Sequence, residues 1–295
     1  MLKWISLFSI TLFLSSCEKD VDIELNDREE SLVVDASIES GGVPMVILSR
    51  SLGYFSKIDA QVLSASFVRG AVVHVSDPRT RTRLREDSML LPGGNRLVFY
   101  TADPRNPQTV VGKTDTRYVL EIEVGGKTYN ASTTIPPFKR VIDSVWWEPL
   151  RAIVEPGDSS KALVMLRGTD KPGLGSYIRY FTKVNREPFL PGFNSVYDDQ
   201  VIDGTTYTVS VDRGIDRNGD FEPDDLFFKK GDTVTLKLCD IDKATYDFWR
   251  TLEFTYQSVG NPFSNPVKVL GNVSNGALGS FSGYAAQFRT LVIPK

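Results

Sequence analysis

Oxygen-bearing side chains at every second residue of a turn suit a hard cation such as Ca²⁺. The stretch DRGIDRNGDFEPDD, Asp212–Asp225, offers Asp216, Asn218, Asp220 and Glu222 in that spacing, with Asp224 and Asp225 behind them. An EF-hand loop needs Gly at its sixth position and Glu at its twelfth. Here Gly219 comes fourth, so calcium in this stretch would be held outside an EF-hand. The same residues also make an acidic β-turn with Asn218-Gly219 at its tip. Both readings stand on the residue types.

The chain's other chemical resources are few. It holds 1 His and 2 Cys, too few for a His-rich metal site or a Cys₄ or Cys₂His₂ zinc site. His74 lies mid-strand between Val73 and Val75 and reads as a structural imidazole, not the base of a hydrolytic triad. Cys239, in the alternating TVTLKLCD, reads as a small core residue. Phosphate-cradling glycine loops are lacking. Asp and Glu alone can run glycoside hydrolysis, but no spacing singles out such a pair. With 34 Lys+Arg against 37 Asp+Glu, nucleic acid is excluded as the main partner. No cofactor is expected apart from calcium at the acidic turn.

The remaining cysteine has a different setting. Lys3, the apolar run Trp4–Leu14 and the small pair Ser15-Ser16 follow the order of a secretory signal peptide, residues 1–16. The run is well short of the roughly 20 apolar residues of a membrane-spanning helix. Leu14-Ser15-Ser16-Cys17 resembles the bacterial lipobox, which would make Cys17 the lipidated N-terminus of the mature chain. The alternative is an ordinary signal peptide ending beside a cysteine. Residues 17–30 then carry Glu18, Asp20, Asp22, Glu24, Asp27, Glu29 and Glu30 against Lys19 and Arg28, the composition of a solvated tether.

Short alternating runs separated by turn signals fill most of the chain beyond the tether, which predicts a mainly β protein. YVLEIEVGGKTYNAS is the clearest hairpin, with Gly125-Gly126 at its turn. Pro136-Pro137 cannot donate ladder hydrogen bonds and marks a boundary. Residues 31–136 are expected to form an immunoglobulin-like or transthyretin-like β-sandwich. Residues 137–295 are expected to form a β-rich second domain. Its one amphipathic helix, near 241–256, is signalled by the spacing of Ile241, Phe248, Trp249, Leu252 and Tyr256, with Asp240 or Asp242 as cap. Of the neighbours Trp146 and Trp147, strand geometry sends one to the core and one outward. Arg186–Asp199, REPFLPGFNSVYDD, reads as a long irregular stretch, and Phe189, Phe193 and Tyr197 within it as anchors for a partner.

The order of these features resembles a Bacteroidota lipoprotein family, domain of unknown function 4249. The stretches that carry the likeness include DIEL after Cys17, then SLVVDASI, GAVVHVSD, YVLEIEVGGKTYNASTTIPP and IDSVWW. They continue with YDFWRTL and the closing NPFSNPVKVLGNVSNGALGSFSGY. The resemblance implies an outer-membrane lipoprotein, often encoded beside a TonB-dependent receptor, with no agreed activity. Acids directly after Cys17 resemble the label that routes such lipoproteins to the outer face, although Lys19 and Val21 interrupt them. Asp87-Ser88-Met89 resembles an O-glycosylation acceptor of the same bacteria. The expected function is therefore a non-enzymatic surface lipoprotein that partners a TonB-dependent receptor or another outer-membrane complex. The alternatives are a structural or adhesive surface module, and a carboxylate-based hydrolase. Replacing Cys17 with Ala is expected to move the protein from the membrane to the soluble fraction on ultracentrifugation; unchanged fractionation would contradict the anchor.

Overall fold

The computed structural model describes residues 30–52, 60–90, 94–106, 108–150, 160–217, 219, 222–259, 261, 265 and 267–295. Cys17 and nearly all of the acidic tether, together with Asn218 and Asp220, lie outside the described residues. The chain runs β1 (Leu32–Glu39), β2 (Met45–Arg50), α1 (Ala60–Ser66), β3 (Val72–Ser76), β4 (Arg81–Arg83), β5 (Arg85–Leu90) and β6 (Arg96–Thr101). Then come β7 (Thr116–Val124), β8 (Lys127–Ile135), β9 (Arg140–Pro149), β10 (Lys161–Asp170), β11 (Tyr177–Val184), β12 (Leu190–Asp198) and β13 (Thr206–Val211). The last elements are β14 (Phe228–Lys229), β15 (Thr233–Ile241), α2 (Lys243–Ser258) and β16 (Leu278–Val292). No helix among the described residues is long and apolar enough to cross a membrane.

The protein is mainly β, as its alternation predicts, and it is built sheet on sheet. One eight-stranded sheet has the order β12-β11-β15-β16-β1-β2-β6-β5. A four-stranded sheet, β4-β3-β7-β8, packs on one half of it, and β13-β10-β14 with β9 beside β10 packs on the other half. Alternate residues of each strand point inward. Val34, Ile38, Leu120, Ile122 and Phe281 fill the first core, and Val164, Leu166, Ile178, Leu236 and Leu238 the second. Trp147 packs on the second core, while the Trp146 indole turns outward to Glu148.

β16 serves both halves. Leu278–Tyr284 pair parallel to β1, and Ala285–Val292 pair antiparallel to β15. Pro136 and Pro137 lie where the chain leaves β8 and enters β9, crossing from one small sheet to the other. Gly279, in the closing family-like motif, shows why that motif needs glycine. Its φ is +94°, and a Cβ there would stand 2.0 Å from the Val34 carbonyl oxygen on β1. Asn272 completes the entry to β16, its amide accepting from the Phe281 N–H and donating to the Phe281 carbonyl, both at 2.8 Å.

α2 lies on the opposite face of the long sheet, over Cys239, Ile241 and Tyr284. Its cap is Asp242, and the helix begins two residues later than the 241–256 expectation. One Asp242 oxygen accepts from Thr245 N, and the other from Thr133 Oγ1 and Thr134 N of β8. A single carboxylate thus caps the helix and ties it to the first small sheet. The Arg186–Asp199 stretch differs from expectation too. It contains β12, paired with β11 across a bulge between Arg179 and Phe181. Pro191 and Gly192 break the local alternation and hide the strand from a periodicity reading. Phe281→Ala, at a site with no exposed surface, is expected to cost about 3–5 kcal/mol, read as a lower urea midpoint. An unchanged midpoint would contradict this packing.

Candidate functional site

The second pair of sheets does not close fully. Between β13 with β10 on one side and β11, β12 and β15 on the other lies a cleft of about 550 Å³. Its walls follow from strand alternation: Ile178 and Tyr180 from β11, Leu236 and Leu238 from β15, Tyr207, Val209 and Val211 from β13, and Leu166 from β10. Tyr197 stands at the mouth, 47% exposed, and stacks on Tyr180 with ring centroids 6.3 Å apart. Glycines make room for the phenols. A Cβ on Gly192 would stand 1.9 Å from the Tyr180 hydroxyl, and one on Gly168 3.0 Å from that of Tyr207. Burial, then Tyr197, Asp212 and Glu253, push the Tyr180 phenol well up, so it stays a neutral donor. Burial also raises Asp212, which lines the wall.

Charge is buried at one end of the cleft. Arg140, 1% exposed, donates from Nε to Asp170 Oδ1 at 3.1 Å. Asp240 faces the same guanidinium, and its oxygens make no well-aligned hydrogen bond. Burial pushes Asp240 up to about 7, against the opposing pull of Arg140 and of the Lys139 and Arg140 amides. Tyr207 feels all three charged groups, and burial raises its phenol as well.

A second polar network fastens α2 to the outer face. Arg179 lies 3.4 Å from the Trp249 ring centroid and donates to Ser195 Oγ and to the Tyr284 hydroxyl, which also accepts from Trp249 Nε1. Glu253 accepts from Ser195 N, Ser195 Oγ and Arg217. This network blunts the β12 edge. Glu253 takes the Ser195 N–H, Arg217 and Gln257 donate to the Phe193 carbonyl, and Ile215 N donates to Pro191 O. An edge strand so occupied offers little backbone to a strand-adding partner.

The structure distributes the candidate residues widely. Tyr197 is at the cleft mouth. Phe193 is half-buried, its carbonyl engaged by α2. Phe189, also half-buried, packs on Phe288 at 5.9 Å, and the two join Phe181 around Lys237, which pairs with Glu39. Asp216 and Glu222 are both exposed. Behind them Asp224 pairs with Lys161, and Asp225 accepts from Glu222 N. His74 is half-buried on β3, lowered first by burial and then by Arg81. Cys239 is fully buried, its thiol pushed up to about 12, as a core residue would be. Ser88 lies on β5, an edge strand, with Arg96 donating to its hydroxyl. The sequence reading missed Tyr180 and Tyr207 as cleft walls. The alternation of SYIRYFTKV and TTYTVSV gives their facing, but only the sheet pairing brings them together.

These features define a mainly β protein in which two small sheets ride on one long mixed sheet and a tyrosine-lined cleft opens under the second. Residues 18–289 match the model of a family described as a domain of unknown function (DUF4249), and the chain belongs to that family. No curated protein matches the chain.

Asp240 gives the cleft a pH signature. Unfolded, it ionises near 3.8; folded, near 7. Between those values the native state holds a proton that the unfolded chain has lost, so this group's contribution to stability falls as pH rises through the window. Asp240→Asn removes that term. The variant's stability relative to the parent is expected to climb from about pH 4 to about pH 7 and then level, measured by urea unfolding across pH. A pH-independent difference would contradict the assignment.

Proposed function

We propose that this protein is a non-enzymatic outer-membrane lipoprotein that faces the cell surface and works as an accessory of a TonB-dependent receptor. The cleft is its binding site, and Tyr197 is the residue that meets the partner or its cargo. The observation that carries the reading is the cleft itself. Its volume falls within the range of small-molecule sites, about 300–1,000 Å³, and its lining is mostly apolar with a few convergent polar groups. Tyr180, Tyr197 and Tyr207 offer flat faces with hydroxyl donors, a lining suited to an amphipathic ligand.

The lipobox-like Leu14–Cys17 and the acidic stretch after it support the membrane part of the reading, and so does the resemblance in the order of motifs. The occupied β12 edge favours a side-chain interface over strand addition. Mild detergent extraction followed by affinity purification through a C-terminal tag tests the proposal. A TonB-dependent receptor is expected in near-stoichiometric amount. Recovery of the chain without any outer-membrane partner would sink it.

A further inference from the structure

Beside the cleft, the end of β10 and the turn after β12 bring three carboxylates together. Asp170 ends β10, and Asp199 and Asp203 stand four residues apart in the turn after β12. One oxygen of each lies within 4.8 Å of the others. Asp170 and Asp199 are each 1% exposed, and Asp203 is half-buried. Three carboxylates this close and this dry repel unless positive charge joins them. Arg140 supplies one charge, through its bond to Asp170 Oδ1, and among the described residues Asp199 and Asp203 form no ion pair.

An independent observation points the same way. Asp170 Oδ2 is sealed from solvent and accepts no hydrogen bond. A buried carboxylate oxygen without a donor is costly and calls for an explanation. The loops around it are already fixed. Asp203 Oδ1 accepts from Gly173 N at 2.7 Å, and Asp170 N donates to Thr205 O at 3.0 Å. Asp199 accepts from Gly175 N, Ser176 N and Ser176 Oγ. Burial works to raise Asp199, but these donors hold it below the ordinary carboxylate value.

We propose that Asp170, Asp199 and Asp203 form a calcium site, with Asp170 Oδ2 turned to the ion. The longer, angularly tolerant Ca–O bonds, about 2.3–2.6 Å, suit so wide a set of oxygens better than Mg²⁺, which demands bonds of about 2.0–2.1 Å and strict octahedral geometry. A dication would offset the charges of Asp199 and Asp203, which no described cationic side chain pairs. Three protein carboxylates make a weak site, with Kd of roughly 10⁻⁴–10⁻³ M. The same turn contributes Val201 and Ile202 to the cleft, so the ion would brace one of its walls. This site stands apart from the receptor reading and from the acidic turn at Asp216.

The test is thermal unfolding and calorimetric titration of the full chain, stripped with EGTA and then given CaCl₂ or MgCl₂. Calcium at about 10 mM is expected to raise Tm by roughly 3–6 °C, with one ion bound per chain. Asp203→Asn keeps the acceptor for Gly173 N but drops the charge; it should keep the calcium-free Tm and lose the rise. Asp216→Asn should keep the rise. The proposal is overturned by no calcium response in the parent, by an equal response to magnesium, by a full rise in Asp203→Asn, or by its loss in Asp216→Asn.

Discussion

The structure depends on one strand being shared. β16 pairs parallel with β1 over its first half and antiparallel with β15 over its second, so the first and last described strands meet in one sheet. Its inward residues enter both cores: Phe281 and Ala285 in the first, Leu291 against the second. Its outward Tyr284 receives the hydroxyl-directed bonds of Arg179 and Trp249 that seat α2. Because side chains alternate with period two, a one-residue slip would exchange every one of these contacts. Gly279 at the start of the strand, with no room for a Cβ, fixes its position against β1.

Given that frame, the second half divides its polar groups between two faces. On the outer face Arg179, Ser195, Glu253 and Arg217 satisfy one another and hold α2 against the β12 edge. On the inner face the balance is incomplete. Arg140 Nη2, Asp170 Oδ2 and both Asp240 oxygens are buried without well-formed partners. Buried polar groups that pay no structural dividend concentrate where a protein binds something, and of these Arg140 lines the cleft. The bonded network builds the scaffold; the under-bonded groups border the candidate site.

Much of the architecture was legible locally. Alternation in SLVVDASIES, YVLEIEVGG and TVTLKLCD gave strands, and the spacing of Phe248, Trp249 and Leu252 gave α2, because burial on one face leaves a period in the sequence. Asp242 was a readable cap. The pairing of β1 with β16 was not, since nothing local to Val33 names Leu278 as its neighbour. β12 was obscured by Pro191 and Gly192, the second of which the Tyr180 phenol requires. The candidate site was legible only at its mouth. Tyr197 stood out as an aromatic in a long stretch between strands. Tyr180, Tyr207 and Asp240 come from three strands, Asp170 from the end of β10 and Asp199 from the turn after β12, so their meeting is a property of the topology. Among the described residues, the three acids with oxygens drawn together are not those whose spacing in sequence suggested a metal.

In the proposed reading, the anchored chain uses the cleft beside one half of its long sheet to present or receive a molecule at a membrane complex. The outer edge of that cleft, at Tyr197, is where contact is expected. The most direct measurement is site-specific photo-crosslinking in living cells, with a benzophenone amino acid at Tyr197 and, separately, at the exposed Met89 on β5 at the far end of the long sheet. The expected result is an adduct with an outer-membrane receptor from Tyr197 and none from Met89. An adduct from Met89 alone, or from neither position, would contradict the cleft as the working surface.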